Sequence, residues 1–148
     1  MKLKLLFLPL FLMILSSPTF AKDCKQDIDG NDKMQFNLKE IKVPKGCTTM
    51  KLNLEHSGKM AKKTMGHNWI LAKTKDIAAI VKSGLSAGLA GGYIKKGDSR
   101  ILAHTILLGG GEKTSISIDL TKIKKGGDYS FFCAFPGHYI LMRGKFKY

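Results

Sequence analysis

Acidic side chains are scarce in this chain. Eleven aspartates and glutamates stand against 25 lysines and arginines, a formal charge of +14. Such a balance raises nucleic acid or an anionic membrane as a partner. The signatures of nucleic-acid binding are missing too: the chain has no Gly-Lys-Ser/Thr phosphate loop, no paired-Cys/His finger and no RNA-binding aromatic motif. Its lysines mostly alternate along strands, as Lys145 and Lys147 do between Gly144, Phe146 and Tyr148. That is the pattern of a solvated sheet face. No nucleic acid is expected as partner, and the charge is expected to aid solubility and steer the protein toward acidic partners. Beyond the N-terminus no apolar run is long enough to span a bilayer. No internal repeat, low-complexity tract or interdomain linker divides the sequence.

What is present begins with a leader. Lys2 and Lys4 precede an apolar stretch, Leu5 to Leu15, interrupted by Pro9 and too short to cross a membrane comfortably. The segment ends in Ser-Ser-Pro-Thr-Phe-Ala, with small Thr19 and Ala21 where a signal peptidase reads. Residues 1–21 are read as a signal peptide and 22–148 as one exported domain, with no membrane partner after cleavage. Cleavage leaves 127 residues and a charge of +12, enough chain to bury roughly two-thirds of its unfolded surface. The mature cysteines are Cys24, Cys47 and Cys133, an odd number. Cys24 and Cys47 flank the first expected hairpin and can close a disulfide in an oxidising compartment, stabilising by about 3 kcal/mol in the chain-entropy picture. Cys133 is left over, and a lone thiol there is a liability unless it is buried or metal-bound.

Most of the mature chain reads as strand. Met50, Leu52 and Leu54 alternate with Lys51, Asn53 and Glu55, and Ile116, Ile118 and Leu120 alternate with Ser115, Ser117 and Asp119. Further strands are expected near 25–29, 33–38, 40–43, 67–72, 102–108, 129–133 and 142–148. Turn signals separate them: Asp29-Gly30-Asn31, Pro44-Lys45-Gly46, Gly109-Gly110-Gly111 and Lys125-Gly126-Gly127. Many short punctuated strands indicate an all-β, two-sheet sandwich. One segment departs from the pattern. Thr74 can cap a helix over 75–86 whose Ile77, Ile80, Val81 and Leu85 share a stripe, with Asp76 in its first turn. An irregular loop, weakened by Gly84, Gly88, Gly91 and Gly92, follows to about residue 100.

The chemistry concentrates near the C-terminus. Cys133, His138 and Met142 stand as C-x₄-H-x₃-M around a Pro136-Gly137 turn that lets residues on both sides aim at one point. Each residue alone has a plain alternative, as core thiol, surface histidine or core filler. Together they offer a thiolate, an imidazole and a thioether. His67, far upstream, can supply the second imidazole that this cluster lacks. Two histidines, a cysteine and a weak axial methionine are the ligand combination of a blue-copper electron-transfer site, which suits Cu(I) and Cu(II) moderately well. Gly66 has no side chain to keep its carbonyl from a metal, and Asn68 is placed to hydrogen-bond across to the thiolate loop.

The stretches M-G-H-N-W (65–69), S-R-I-L-A-H-T (99–105), G-E-K (111–113) and F-F-C-A-F-P-G-H-Y-I-L-M-R-G (131–144) resemble the azurins, bacterial members of the cupredoxins. The resemblance covers essentially all of 22–148, cysteine pair and helical flap included. It implies an eight-stranded Greek-key β-sandwich carrying one type 1 copper in the periplasm. By that likeness His67, Cys133 and His138 are equatorial ligands, while Met142 and the Gly66 carbonyl are distant axial ones. His56 resembles a histidine near the metal that is not a ligand, and His104 a surface histidine with no metal role. The likeness also gathers Met34, Met60 and Met65 at the end where Phe135, Pro136 and Leu141 flank His138. This apolar set is the expected docking patch, rimmed by Lys62 and Lys63.

The function this implies is a monomeric electron carrier, not an enzyme. Its partners are redox proteins such as c-type cytochromes or a periplasmic reductase or dehydrogenase with acidic docking surfaces. The alternative is a copper storage or delivery protein, although such proteins tend to offer several exchangeable sulfur ligands rather than one thiolate. An enzyme using Cys133 as nucleophile and His138 as base would need an orienting group and an open pocket. Neither is evident around 130–144.

Overall fold

The computed structural model describes residues 23–148. The expected signal peptide at 1–21 lies outside the described residues. Alternation becomes strand where one apolar face can be buried: within β4 (Thr49–His56), Met50, Leu52 and Leu54 are buried while Lys51 faces solvent. The other strands are β1 (Lys25–Asn31), β2 (Gln35–Phe36), β3 (Glu40–Lys42), β5 (Ile70–Lys73), β6 (Ile101–His104), β7 (Lys113–Asp119), β8 (Tyr129–Phe132) and β9 (Arg143–Lys147). They form two sheets, ordered β2-β1-β4-β7 and β3-β9-β8-β5-β6. β1 runs parallel to β4 and β3 parallel to β9, while the remaining pairs are antiparallel. The sandwich expected from the sequence is present. Among the described residues there are nine strand segments, the number read from the alternation, against the eight that the resemblance implies: β2 belongs to the first sheet and β3 to the second, and residues 37–39 cross between them.

The interior holds Trp69 and Phe131, stacked with centroids 6.0 Å apart. Phe36 meets Phe131 edge-on at 5.7 Å, and Phe146 approaches Trp69 at 6.4 Å. Fully burying such rings is among the largest apolar contributions a domain of this size can collect. Three local expectations change. Asp29-Gly30-Asn31 is not a turn, because β1 continues through Asn31; the reversal falls at 32–34, where Met34 adopts a left-handed φ of 55°. Thr74 does not cap the helix, since its hydroxyl is engaged with Asp128 and Ser130. The helix α2 (Ile77–Gly84) buries Ile77, Ile80 and Val81, but Leu85 has turned out to solvent in the short 3₁₀ turn Leu85–Ala87.

Register carries the interior toward the site. β5 and β8 pair with Ile70 opposite Phe132. His67 and Cys133 therefore leave the sheet at the same end.

Candidate metal centre

At that end the chain is held by backbone before any side chain is counted. His67 is bridged to Leu108, its N–H donating at 2.9 Å and its carbonyl accepting at 2.7 Å. The short helix α1 (Lys62–Met65) delivers the chain to Gly66. On the other arm, Gly137 takes a φ of 82°, a left-handed value open to glycine, and a 3₁₀ turn His138–Ile140 follows. The Met142 N–H donates to the His138 carbonyl at 2.7 Å, and the Cys133 N–H to the Met142 carbonyl at 3.0 Å. These bonds close the C-x₄-H-x₃-M segment into a loop with all three sulfur and nitrogen side chains buried.

His67, Cys133 and His138 converge, with one ligand atom from each lying within 4.8 Å of the others. Cys133 Sγ is 3.8 Å from His138 Nδ1 and 3.8 Å from the Gly66 carbonyl. His67 Nε2 donates to the Asn31 carbonyl at 2.8 Å, which leaves the lone pair on Nδ1. That Nδ1 is buried and has no hydrogen-bond partner. A buried, unpartnered nitrogen is costly, and a soft metal among these donors would satisfy it. The donor set thus fits one type 1 copper.

Electrostatics agree with this fit. Burial pushes the Cys133 thiol up to about 12, opposed by the backbone N–H groups of Asn68 and Phe135. Burial, together with the neighbouring His67 and His56, lowers His138 to about 4. Burial also lowers His67, against the opposing hydrogen bond to Asn31. Both imidazoles are accordingly neutral near pH 7, the form that ligates metal, whereas the thiol needs a metal to displace its proton.

The surrounding residues hold these donors in place. Asn68 Oδ1 accepts from the Ala134 N–H at 2.8 Å, beside the thiol, and its Nδ2 donates to the Gly92 carbonyl at 2.8 Å. Gly66 is needed for close packing, because a Cβ there would stand 2.6 Å from the Lys62 carbonyl and 3.0 Å from Phe135. Gly30 was not anticipated as part of the site. A Cβ at Gly30 would sit 2.9 Å from His67 Cδ2 and 3.3 Å from Met142 Cε, so the missing side chain leaves room for both. Its sequence signal was a glycine within a strand, misread as a turn. His56 is buried with its ring edge-on to His67 at 4.2 Å. His104 is exposed and is not one of the converging groups.

The expected docking residues divide. Leu141 is 52% exposed and Met60 41%, and Pro136 also faces solvent. Met34 and Met65 are half-buried. Phe135 is buried between Tyr93 and the His138 ring, with centroids at 5.2 and 4.5 Å, so it supports the surface from beneath. Ile106 at 64% and Ile140 at 61% are exposed in the neighbouring loops and had no periodic signal to mark them. Of the expected basic rim, Lys62 is paired with Glu112 at 2.9 Å, while Lys63 is exposed.

Comparison with known proteins adds identity to this geometry. The family described as copper binding proteins, plastocyanin/azurin family, matches residues 22–147. The azurin of Bordetella pertussis is 51% identical over 132 residues, covering 89% of this chain and 88% of that protein. The azurin of Pseudomonas aeruginosa is 48% identical over 133 residues, covering 90% of each. A solved azurin from the obligate methylotroph Methylomonas sp. strain J superposes with a TM-score of 0.81 at 39% identity, over 85% of this chain and 98% of that one. The chain belongs to the plastocyanin/azurin family of copper-binding proteins.

Proposed function

We propose that this protein is a periplasmic electron carrier, synthesised with residues 1–21 as a signal peptide and active as the monomeric domain 22–148. The observation that carries the reading is the convergence of two neutral imidazoles and one thiol in a buried space, one of the imidazole nitrogens having no other partner. Copper bound there supplies one-electron chemistry between Cu(I) and Cu(II). His67 Nδ1, Cys133 Sγ and His138 Nδ1 would hold the copper as strong donors in this reading, with Met142 and the Gly66 carbonyl as weak ones. The chain's own part is positional. Asn31 fixes the His67 tautomer, Asn68 ties the two ligand arms together, and the interior excludes water.

A nucleophilic enzyme is a poorer account of the same residues. Cys133 lies 3.8 Å from His138 Nδ1, but its thiol is wholly buried and pushed up to about 12, the opposite of an activated nucleophile. A storage role fits less well with a single thiolate. The visible spectrum of copper-loaded protein tests the reading: an intense blue band, bleached by reductant and restored by oxidant, supports it, and a colourless copper complex overturns it.

The partner is a redox protein with an acidic docking surface, such as a c-type cytochrome, a reductase or a dehydrogenase. It meets the apolar surface of Met60, Pro136 and Leu141 over His138. Leu141→Lys should slow electron self-exchange at least tenfold with the blue band unchanged, because a hydrated charge must then be buried in each encounter. Exchange at the wild-type rate would place electron entry elsewhere.

A further inference from the structure

The lysine surplus is not spread evenly. Lys73, Lys75, Lys122 and Lys124 line one groove of about 440 Å³, together with Tyr129 and Asp128. Lys145 joins them through Asp128 at 2.8 Å, and Lys125 lies over the Tyr148 ring, 5.3 Å from its centre. Three carboxylates stand against these six lysines. Asp128 is held by Lys145, Asp119 is shared with Lys122 at 3.4 Å, and Asp76 follows Lys75 in the same turn. Among the described residues no ion pair engages Lys73, Lys75 or Lys124.

This groove lies at the opposite end of the sandwich from the metal centre. Lys73 and Tyr129 face each other across the β5–β8 pair, three residues from the Ile70–Phe132 step that leads into the ligand arms. At roughly 3.3 Å per strand residue, Cys133 is about 13 Å from Tyr129 along β8. The charges come from three separate segments, the end of β5, the β7–β8 connection and β9, so no linear run in the sequence announces them.

The chemistry of the cluster decides what it fits. Protein interfaces are built around aromatic and arginine anchors and are depleted in lysine. Here both arginines lie outside the groove, Tyr129 is buried, and none of the large exposed apolar side chains lines it. Half-buried Leu102 and buried Tyr129 form its floor, and what projects from it into solvent is lysine on flexible stems, which matches a surface whose own charges are mobile. A bilayer of anionic phospholipids is such a surface. We propose that this lysine end docks on anionic phospholipid headgroups and thereby holds the metal end toward the aqueous side. The sequence pattern alone had pointed to solvated faces and no membrane partner. The folded arrangement gathers those faces at one pole.

The test is co-sedimentation of the purified exported protein with vesicles of phosphatidylcholine containing phosphatidylglycerol, and with phosphatidylcholine alone. Binding is expected only to the mixed vesicles, weakening as salt is raised. Each lysine near an anionic bilayer contributes roughly a factor of five. The triple variant Lys73→Gln, Lys75→Gln, Lys124→Gln should therefore bind about a hundredfold more weakly. Arginine at the same three positions should restore binding, and Lys62→Gln with Lys63→Gln, at the metal end, should leave it unchanged. Equal binding to neutral vesicles, or equal loss in both glutamine variants, overturns the proposal. So does a triple variant that still binds vesicles but no longer associates with an acidic c-type cytochrome, which would assign the groove to a protein. None of these readouts uses the metal's colour, so the result stands apart from the electron-carrier reading.

Discussion

The two ends of the sandwich follow opposite rules of construction. At the metal end every group has one place: His67 is pinned by Asn31 and Leu108, and Cys133 by the Met142 carbonyl. The neighbouring Ala134 is held by Asn68. At the far end the lysines are interchangeable charges on flexible stems, and the chain is closed covalently by the Cys24–Cys47 disulfide, with Cα atoms 5.9 Å apart. The same strands connect the two. Ligand chemistry needs atoms at fixed distances, so the metal end must be dry and hydrogen-bonded. Electrostatic attraction needs only a local charge surplus, so the far end need not be ordered in detail. Substitution should separate the two: single changes count at the first and numbers count at the second.

The sharpest break is Cys133→Ser. We expect complete loss of the intense thiolate-to-copper band, because a hydroxyl is a harder and poorer ligand. The domain should still fold, since the Trp69–Phe131 interior is untouched. A single Lys124→Gln at the other end should leave the spectrum as it is. Retention of the band in Cys133→Ser removes the thiolate from the site and ends the contrast.

Acid should loosen the metal end of the metal-free protein. His138 is held at about 4 against an ordinary 6.5. As pH falls, the unfolded chain therefore takes up its proton first. The contribution is whole above about 6.5, shrinks as pH falls from there to about 4, and is then exhausted, amounting to about 3 kcal/mol. The lowered His67 acts in the same direction. Urea unfolding of metal-free protein across this range should show the loss, and His138→Gln should flatten it. An unchanged slope in that variant would assign the acid sensitivity to other groups.

Asn68→Ala should cost less. It leaves the Ala134 N–H and the Gly92 carbonyl without the partners they have now, and the Ala134 amide is buried. The expected loss is about 2 kcal/mol of stability, with a shifted or broadened blue band because the thiolate arm is less firmly held. A variant as stable as the parent would mean that water takes over both bonds.

Much of this was legible in the sequence, for identifiable reasons. The alternation of Met50, Leu52 and Leu54 predicts their burial because strand geometry has a period of two. The Cys133–Met142 cluster is readable because ten consecutive residues around a Pro-Gly turn carry all its information. His67 is different: its membership depends on a bridge to Leu108 and a bond to Asn31, and no local pattern encodes either. Its candidacy rests on the second imidazole that the cluster lacks, and likeness to a known family adds its role as a ligand. Gly30 was missed because its role is to leave room for two side chains from elsewhere in the chain. The lysine pole was invisible for the same reason, since alternation predicts exposure but not which exposed faces become neighbours.

The finest distinction proposed for the metal end is between strong and weak donors, and Met142→Leu addresses it. Leucine has nearly the volume of methionine, so the buried position should lose less than about 1.5 kcal/mol. The bonds that shape the loop, from the Met142 N–H to His138 and from Cys133 to the Met142 carbonyl, are made by backbone and survive the change. The protein should therefore remain folded and blue. What changes is the electronic preference. A thioether donates weakly to the metal and favours Cu(II) slightly, whereas an alkyl group does not, so the reduction potential should rise. Redox titration of the two proteins measures the difference directly. A potential equal to the parent's would reduce Met142 to a buried packing residue beside Gly30, and the proposed site would then rest on its three strong donors and the Gly66 carbonyl.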